Sequence, residues 1–328
     1  MDREKLYSLS LMKNNYKPEA ILKKAREIAD KVFISKVDEK YCPYSREQNR
    51  MNKFGDICEI WAYASSFSKN NYITDYFVAE SRYTAQKYNF PTPREAFLSD
   101  PELNKKIEEY RKRFKITRMT NSQKHNILRL IMNGYKICQL FPIDLALSIF
   151  MDVKPKRILD MCAGWGDRLI AAILYGAEYV GVDPNTSINY NNIIEVFSLK
   201  AFGEGFSPKN RCRVISDGFE YAELEGEFDL MFSSPPYFNC EKYSTDPKQS
   251  FNYGEFADWM NKFMYPSLDK IYRHLCAGGQ YMMVINDLKE HKIIDPIIEY
   301  SLSIGFRNPR ILKCNIDGSI QPIINMFK

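Results

Sequence analysis

The sequence predicts an α/β fold in which a mostly parallel sheet follows a mainly helical N-terminal region. From residue 157 onward, short apolar runs alternate with helical patterns, which is typical of a parallel sheet with helices on both faces. The last two apolar runs are joined by turn residues (315–319) and not by a helix, so an antiparallel hairpin should close the sheet. Upstream, the apolar residues recur with helical spacing.

The first part of the chain is expected to be helical. Apolar spacing predicts helices over 18–32 and 53–67. A capping signal with proline in the first turn predicts a third helix over 99–114, after a loop around Pro91-Thr92-Pro93.

The second part is expected to contain seven strands. They are predicted at 157–160, 178–183, 211–216, 228–233, 280–285, 307–314 and 321–327. Helices are predicted at 167–174, 187–197, 255–275 and 293–302. We therefore expect a sheet domain over 137–328 and a separate helical region over 1–136.

Composition excludes several classes of protein. Hydrophobic residues make up 45% and charged residues 27% of the 328 residues, which argues against a disordered, collagen-like or coiled-coil chain. No uncharged apolar run reaches the roughly 18 residues of a membrane span, and the N-terminus lacks a signal-peptide core. Eight cysteines without a C-x-x-C pair, and only three histidines, predict reduced thiols, no metal site and an intracellular location. That location is the cytoplasm, or the nucleoid or a host cell if the protein is viral.

Positive charge is concentrated in the first half. Residues 1–150 carry 27 Lys and Arg against 18 Asp and Glu, whereas residues 151–328 carry 19 against 23. The densest basic stripe interleaves Tyr110 and Phe114. Its basic members are Lys105, Lys106, Arg111, Lys112, Arg113, Lys115 and Arg118, followed by Lys124 and Arg129. This pattern predicts contact with a nucleic-acid backbone, and a plain solvated helix face is the alternative.

A glycine-containing loop between the first predicted strand and helix indicates a ligand site. It reads Asp160-Met161-Cys162-Ala163-Gly164-Trp165-Gly166-Asp167. Ligands of open α/β sheets bind at this strand edge, and glycines let the backbone approach them closely. Asp183, at the end of the next strand, is placed to accept two ribose hydroxyls. Leu169 breaks the dinucleotide G-x-G-x-x-G pattern, which favours a nucleoside without a pyrophosphate over a nicotinamide dehydrogenase. An ordinary tight turn between strand and helix is the alternative interpretation of the two glycines.

The third strand ends at Asp217-Gly218-Phe219. A carboxylate and an aromatic ring at this edge suit the amino group and the face of an adenine. A helix N-cap is the alternative interpretation.

The fourth strand stops at Ser234-Pro235-Pro236-Tyr237. Two prolines cannot continue a central strand, because neither has an N–H to donate. They form a rigid corner with free carbonyl oxygens, preceded by a hydroxyl and followed by an aromatic ring.

Ser234-Pro235-Pro236-Tyr237, together with the loop 160–166, resembles the motifs of S-adenosylmethionine-dependent methyltransferases that act on exocyclic amino groups of bases, chiefly the DNA N6-adenine and N4-cytosine enzymes. The resemblance covers residues 137–328 and implies a Rossmann-like class I methyltransferase domain. It implies S-adenosyl-L-methionine as cofactor, and the segment Gln139-Leu140-Phe141-Pro142 is similar to the one that reaches its methionine part. The implied cofactor-binding residues are Phe141, Pro142, Asp160, Cys162, Ala163, Gly164, Trp165, Gly166, Asp183, Pro184, Asp217, Gly218, Phe219 and Ser234.

The implied catalytic residues are Ser234, Pro235, Pro236 and Tyr237. The Ser234 hydroxyl and the Pro235 carbonyl would accept the two amine hydrogens, and Tyr237 would stack on an unpaired or flipped base. Serine at the first motif position favours N4-cytosine over N6-adenine by analogy. A polar loop over 239–250 is expected to close over the base, with Lys242 and Tyr243 as contacts.

Two other functions remain open. The same chemistry serves an RNA or tRNA base methyltransferase, although the resemblance favours DNA as the partner. A nucleic-acid-binding subunit without catalysis is the second alternative. The chain also departs from the family, because no target-recognition domain lies between the loop and the Pro-Pro corner or after it. Base recognition would therefore fall to the basic first half.

Overall fold

The computed structural model describes the chain apart from Met1, Met12, Asn14 and residues 38–46, 53–54, 65–71, 186–187, 200–205 and 317–318. For residues 34–37, 47–52, 55–64, Tyr72 and Asn315 it describes the backbone alone. Within this part of the chain, no helix is both long and apolar enough to cross a membrane.

The described strands form one large sheet and one short ribbon. They are β1 (Glu47–Asn52), β2 (Gly55–Ala64), β3 (Gln86–Lys87), β4 (Arg157–Asp160), β5 (Glu178–Val182), β6 (Cys212–Ile215), β7 (Phe228–Ser233), β8 (Glu241–Lys242), β9 (Leu275–Val284), β10 (Arg307–Ile316) and β11 (Ser319–Phe327). The sheet has the order β1-β2-β10-β11-β9-β7-β4-β5-β6, and β3 pairs with β8 in the ribbon.

The centre of the sheet is parallel and one side of it is antiparallel. β4 lies parallel to β5 and β7, β6 is parallel to β5, and β9 is parallel to β7. β11 is antiparallel to both β9 and β10. These seven strands confirm the expected Rossmann-like architecture, a mostly parallel sheet that ends in an antiparallel hairpin. The carboxyl ends of β4, β5, β6 and β7 meet at one edge, where ligands of such sheets bind.

Helices cover both faces of the sheet. They are α1 (Arg3–Ser10), α2 (Pro18–Val37), α3 (Tyr72–Thr84), α4 (Pro93–Ser99), α5 (Leu103–Arg113), α6 (Asn121–Met132), α7 (Ile143–Val153), α8 (Asp167–Tyr175), α9 (Tyr190–Ser198), α10 (Pro208–Arg211), α11 (Phe256–Trp259), α12 (Tyr265–His274) and α13 (Ile294–Ser303). Side chains of α2, α7, α8 and α9 share one buried cluster, and those of α12 and α13 share another. A third cluster joins α1, α4, α5 and α6.

The predicted helix over 53–67 is wrong in its described part, because Gly55–Ala64 forms β2. β2 pairs antiparallel with β1 and parallel with β10, so the sheet extends by two strands beyond the expected seven. Isoleucine and aromatic residues in this segment suit a strand as well as a helical stripe. Pairing with β10, some 250 residues away in the sequence, decides between them.

The helix predicted over 99–114 begins later than expected, at Leu103. A separate helix, α4, begins at Pro93 inside the predicted loop. Thr92 and Glu95 form a reciprocal capping box there, which satisfies backbone N–H groups at the start of the helix.

Candidate active site

Hydrogen bonds to Asp160 hold the loop between β4 and α8 in place. This buried carboxylate accepts hydrogen bonds from Arg168 Nε and Tyr179 Oη, each at 2.7 Å, and from Ser233 Oγ at 2.8 Å. It also accepts one from the backbone N–H of Cys162 at 3.2 Å. Asp160 borders neither cavity described below. Asp160 is therefore positioned to orient the loop, whereas the resemblance implied a direct contact with the cofactor.

The two glycines of this loop have positive φ angles. Gly164 has φ 57° and Gly166 has φ 87°. A Cβ on Gly166 would lie 2.7 Å from Ile193 Cδ1, so no other residue fits there without a shift. The Gly164 N–H donates to Asp183 at 2.8 Å, and its carbonyl accepts from Tyr190 Oη at 2.6 Å. The loop therefore keeps one conformation beside the edge of the sheet.

A first cavity, which encloses about 640 Å³ including its open mouth, lies over the ends of β4, β5 and β6. Most of the predicted cofactor residues meet in its walls: Cys162, Gly164, Trp165, Asp183, Pro184, Gly218, Phe219 and Ser234. Pro236 lines it as well. Its lining combines apolar and aromatic side chains with a few polar groups, as is usual for small-molecule sites. Ala163 and Gly166 lie in the same loop but do not line the cavity.

Asp183 presents a carboxylate to this cavity. One oxygen accepts from the Gly164 N–H at 2.8 Å and the other from the Asn185 N–H at 2.9 Å. Burial raises the pKa of Asp183 to about 6, although these two backbone donors oppose the shift. Each oxygen keeps a further lone pair for a ligand hydroxyl.

The acid that faces the first cavity after β6 is Glu220, which the sequence analysis did not single out. Asp217 does not line the cavity and forms an ion pair with Lys248 Nζ at 2.8 Å. Glu220 lines it, and its Oε1 accepts from the Tyr253 hydroxyl. Burial raises the pKa of Glu220. Glu220, three residues after Asp217, is thus an alternative to Asp217 for the expected contact with an adenine. Only the path of the chain after Gly218 brings the Glu220 side chain to the cavity.

Three buried polar atoms in the wall of the first cavity have no hydrogen-bond partner among the residues that the structure describes. They are Trp165 Nε1, Glu220 Oε2 and Ser250 Oγ. Buried polar groups are almost always paired in native proteins, by protein, water or ligand. One carboxylate oxygen, one hydroxyl and one N–H donor in the wall of a cavity suit a ligand that carries both amino and hydroxyl groups.

The Ser234-Pro235-Pro236-Tyr237 corner lies where the first cavity meets a second, larger one. Ser234 lines both cavities, and Pro236 lines the first. Pro235 and Tyr237 line the second, as do the predicted residues Phe141 and Pro142. The second cavity encloses about 1610 Å³, including its open mouth. The corner therefore borders both cavities.

The backbone of the corner leaves two carbonyl oxygens free. The Pro236 carbonyl accepts from the Phe238 N–H, and the Tyr237 carbonyl accepts from the Cys240 N–H, each at 3.1 Å. Among the described residues, the carbonyls of Ser234 and Pro235 accept no such bond. The phenol of Tyr237 lies 3.5 Å from the Val284 carbonyl, and burial raises its pKa, so it stays protonated.

The segment carrying Phe141 is held against the loop by Asp167. This buried carboxylate accepts from the Phe141 N–H at 3.2 Å and from Thr74 Oγ1 of α3 at 2.5 Å. Burial raises the pKa of Asp167 to about 6. The Arg168 guanidinium lies 5.3 Å from the centre of the Phe141 ring. Thr74 brings the N-terminal region into contact with the site, and no local sequence signal marked it.

Residues of the predicted basic stripe fall into two groups. Lys105, Lys106 and Arg111 form ion pairs with Glu102, Asp100 and Glu108. Lys112, Arg113, Lys115 and Arg118 are exposed and have no ion-pair partner among the described residues. Phe114, between them, is 48% exposed and stacks on Tyr110. The free charges therefore cluster at the C-terminal end of α5 and just beyond it.

The polar loop over 239–250 lies mainly over the first cavity, whereas we expected it to cover the base. Lys248, Gln249, Ser250 and Phe251 line that cavity. Tyr243 lines both cavities, donates to Glu241 and packs edge-on against Trp165. Lys242 lines neither cavity and extends over the Phe251 ring.

The described cysteines are all free thiols: Cys138, Cys162, Cys212, Cys240, Cys276 and Cys314. In the described part of the chain, no group of three or more His, Cys, Asp or Glu side chains is arranged to hold a metal ion.

Comparison with known proteins yields structural similarity alone. No family model matches the sequence, and no curated protein matches it. Solved structures do match, among them a methyltransferase from Pyrococcus furiosus, at 18% identity and a TM-score of 0.36 over 56% of this chain and 83% of that one. The Burkholderia thailandensis 1,6-didemethyltoxoflavin-N1-methyltransferase with bound S-adenosylhomocysteine matches at 13% identity and a TM-score of 0.40, over 57% and 77%.

The tRNA (m1A58) methyltransferase TrmI from Aquifex aeolicus is similar at 14% identity and a TM-score of 0.35, over 59% of this chain and 71% of that one. These identities and scores are too low for a reaction or a substrate to be carried over to this chain.

Proposed function

We propose that this chain is an S-adenosylmethionine-dependent methyltransferase that acts on an exocyclic amino group of a base in DNA. The observation that carries the proposal is the position of Ser234, in the wall common to the two cavities. A group transfer needs a donor and an acceptor that meet at one point. The Pro-Pro corner is that point.

The first cavity fits the nucleoside part of the cofactor. Asp183 supplies lone pairs for two ribose hydroxyls, and the orphaned Glu220 Oε2 suits the amino group of an adenine. Phe219 gives the cavity an aromatic wall. The positive φ of Gly164 lets the loop pass close to the ligand. Phe141 and Pro142, in the second cavity, are placed for the methionine part.

The reaction requires little proton chemistry from the protein before transfer. When bound, S-adenosylmethionine supplies an electrophilic methyl group on a sulfonium sulfur. An exocyclic amine is a weak nucleophile, because its lone pair is delocalised into the ring. The Ser234 hydroxyl and the free Pro235 carbonyl accept its two hydrogens, which directs the lone pair toward the donor and favours a tetrahedral nitrogen. The nitrogen–carbon bond would form as the carbon–sulfur bond breaks, with S-adenosylhomocysteine as the leaving group, and the methylated nitrogen would release its extra proton to water at the open mouth of the second cavity. Orientation at the rigid corner supplies most of the acceleration.

The acceptor side suits a base taken out of a helix. The second cavity is open at its mouth and is lined by the rings of Tyr237, Phe141 and Tyr88. Bases stack on such rings once they are unpaired or flipped. The unpaired cations Lys112, Arg113, Lys115 and Arg118 favour a polyanionic partner.

DNA is the polymer we propose, because the motif resembles that of DNA enzymes, and serine at its first position favours N4 of cytosine. RNA is the alternative, because its bases carry the same amino groups. Incubation with methyl-labelled cofactor and either DNA or RNA tests both. Label in DNA supports the proposal, and label in RNA alone corrects the polymer. Label in neither, while S-adenosylhomocysteine binds, contradicts a nucleic-acid substrate.

A further inference from the structure

The N-terminal region contributes a short aromatic turn to the mouth of the second cavity. The turn comprises residues 88–91 and follows β3. Tyr88 lines the cavity and is 53% exposed, and Phe90, two residues on, is 45% exposed. Exposed apolar groups that lie together beside a cavity, in contrast to scattered single ones, mark interaction or ligand sites.

The β3–β8 ribbon holds this turn in place. Lys87 pairs with Glu241 across the ribbon, with their charged groups 3.4 Å apart. The Tyr88 N–H donates to the Cys240 carbonyl at 2.8 Å. Because β8 begins four residues after Tyr237, the ribbon ties the aromatic turn to the Pro-Pro corner.

Tyr88 has a positive φ of 51°, a conformation that a bulky residue adopts only at a cost in free energy. The ribbon maintains that conformation, which leaves the Tyr88 ring at the cavity mouth and not packed in a core. The hydroxyl meets the Cys240 thiol, and this hydrogen bond raises the pKa of Tyr88, so the ring remains neutral.

Positive charge lies beside the turn. Lys136 Nζ sits 5.3 Å from the centre of the Phe90 ring. Lys87 also lines the cavity, where it forms the ion pair with Glu241. Exposed rings interleaved with cations are the features with which proteins bind single-stranded nucleic acid: the rings stack on bases and the cations meet phosphates.

We infer that Tyr88 is a base-stacking residue of the acceptor site, contributed by the N-terminal region, and that it faces an unpaired nucleotide at the mouth of the second cavity. The inference rests on the proposed function and adds to it the residue that receives the nucleotide. Tyr237 and Tyr88 are far apart in the sequence but line the same cavity, so the base would enter between a partly buried inner ring and an exposed outer one.

The test compares two variants at this position. Tyr88→Gly removes the ring, and glycine adopts the positive φ without strain, so the fold is retained. Tyr88→Phe keeps the ring and removes the hydroxyl. Leu302→Ala, at an exposed position on α13 outside both cavities, is the control. Affinity is measured by fluorescence anisotropy with a short labelled single strand of mixed sequence, as DNA and as RNA, over a range of salt concentrations.

Tyr88→Gly should weaken binding roughly fivefold to thirtyfold, as expected for the loss of one base stack. The slope of log affinity against log salt should not change, because no phosphate contact is lost. Tyr88→Phe and Leu302→Ala should bind like the wild type. Unchanged binding by Tyr88→Gly, or an equal loss with Tyr88→Phe, would overturn the stacking role while leaving the proposed function intact. If the wild type itself binds neither strand, the nucleic-acid substrate fails, and this inference with it.

Discussion

The two cavities differ in how their walls are assembled from the sequence. The first is lined by residues between Met161 and Phe263, all from successive strand–loop units of the sheet domain. The second draws on residues from Lys87 to Gln321, including the aromatic turn, the Phe141 segment and the closing hairpin. A site built from loops at one sheet edge can be read from local motifs. A site gathered from distant segments depends on the complete fold.

This contrast separates a cavity that follows from the order of the strands from one that depends on the N-terminal region. In an open α/β sheet the carboxyl ends of the parallel strands meet at one edge, so the position of the first cavity follows from the topology. The acceptor side is completed here by a segment that precedes the sheet domain. We therefore expect substitutions in the two cavities to separate cofactor binding from methyl transfer.

The largest expected effect is at the corner that both cavities share. Replacing Ser234, Pro235, Pro236 and Tyr237 by alanine removes the hydroxyl and the rigid presentation of the carbonyl. Methyl transfer should fall by roughly a thousandfold or more. Binding of S-adenosylhomocysteine, measured by calorimetry, should persist, because Asp183 and the glycine loop are untouched. Pro101→Ala, at an exposed proline far along the chain from the corner, is the control. Turnover retained by the four-alanine variant would break the assignment.

A second prediction tests whether the N-terminal region is coupled to the cofactor side. Thr74→Val removes the hydroxyl that donates to the buried Asp167 and keeps the shape of the side chain. Leaving that carboxylate oxygen without its donor should lower the free energy of unfolding by about 1–3 kcal/mol. Urea unfolding measures this loss. Thr74→Ser, which keeps the hydroxyl, should lose less. Equal stability of Thr74→Val and the wild type would show that the two regions are not joined through this bond.

A third prediction uses the raised pKa of Asp183, about 6. Only the carboxylate accepts two ribose hydroxyls, so affinity for S-adenosylhomocysteine should fall by about tenfold per unit once the pH drops below this pKa. The stability of the free protein should change in the opposite direction. Because the folded pKa lies above the unfolded one, protonation favours the folded state, and stability is lost as pH rises through about 6.

Asp183→Asn is the matched variant for this pH dependence. This variant should bind S-adenosylhomocysteine more weakly than the wild type at neutral pH. Its affinity should not change further as the pH falls below neutral. A wild-type affinity that is independent of pH across this range would count against a role of Asp183 in ribose binding.

The smallest expected effect concerns the basic stripe. Replacing Lys112, Arg113 and Lys115 by alanine should reduce the salt slope of duplex DNA binding by about 0.9 for each phosphate contact removed. Binding would weaken similarly for all sequences, because such contacts carry no base information. Lys209→Ala, at an exposed lysine outside the stripe, should leave the slope unchanged. An unaltered slope in the triple variant would remove α5 from the nucleic-acid interface.

The lining of the first cavity was largely predictable because its signals are local. Gly164, Asp183 and the Pro-Pro corner each lie at the end of an apolar strand, and parallel strands bring those ends together. Glu220 was missed because its side chain enters the cavity only through the path of the turn after Gly218. Asp160 was assigned a cofactor contact, whereas Arg168, Tyr179 and Ser233 enclose it.

The acceptor side and the edge of the sheet were less predictable for a physical reason. β2 has apolar residues that suit either a helix or a strand, and its long-range pairing with β10 selects the strand. The positions of Tyr88 and Thr74 likewise result from pairing and packing between segments far apart in the sequence. No pattern within a window of ten or fifteen residues contains that information.

The most direct test of the central claim is mass spectrometry of nucleosides from DNA treated with the protein and isotopically labelled S-adenosylmethionine. We predict one labelled methyl group on the exocyclic nitrogen of a base, with N4-methyldeoxycytidine as the product. A label on a ring nitrogen, on a carbon or on no nucleoside at all would contradict the function assigned to the Ser234–Tyr237 corner.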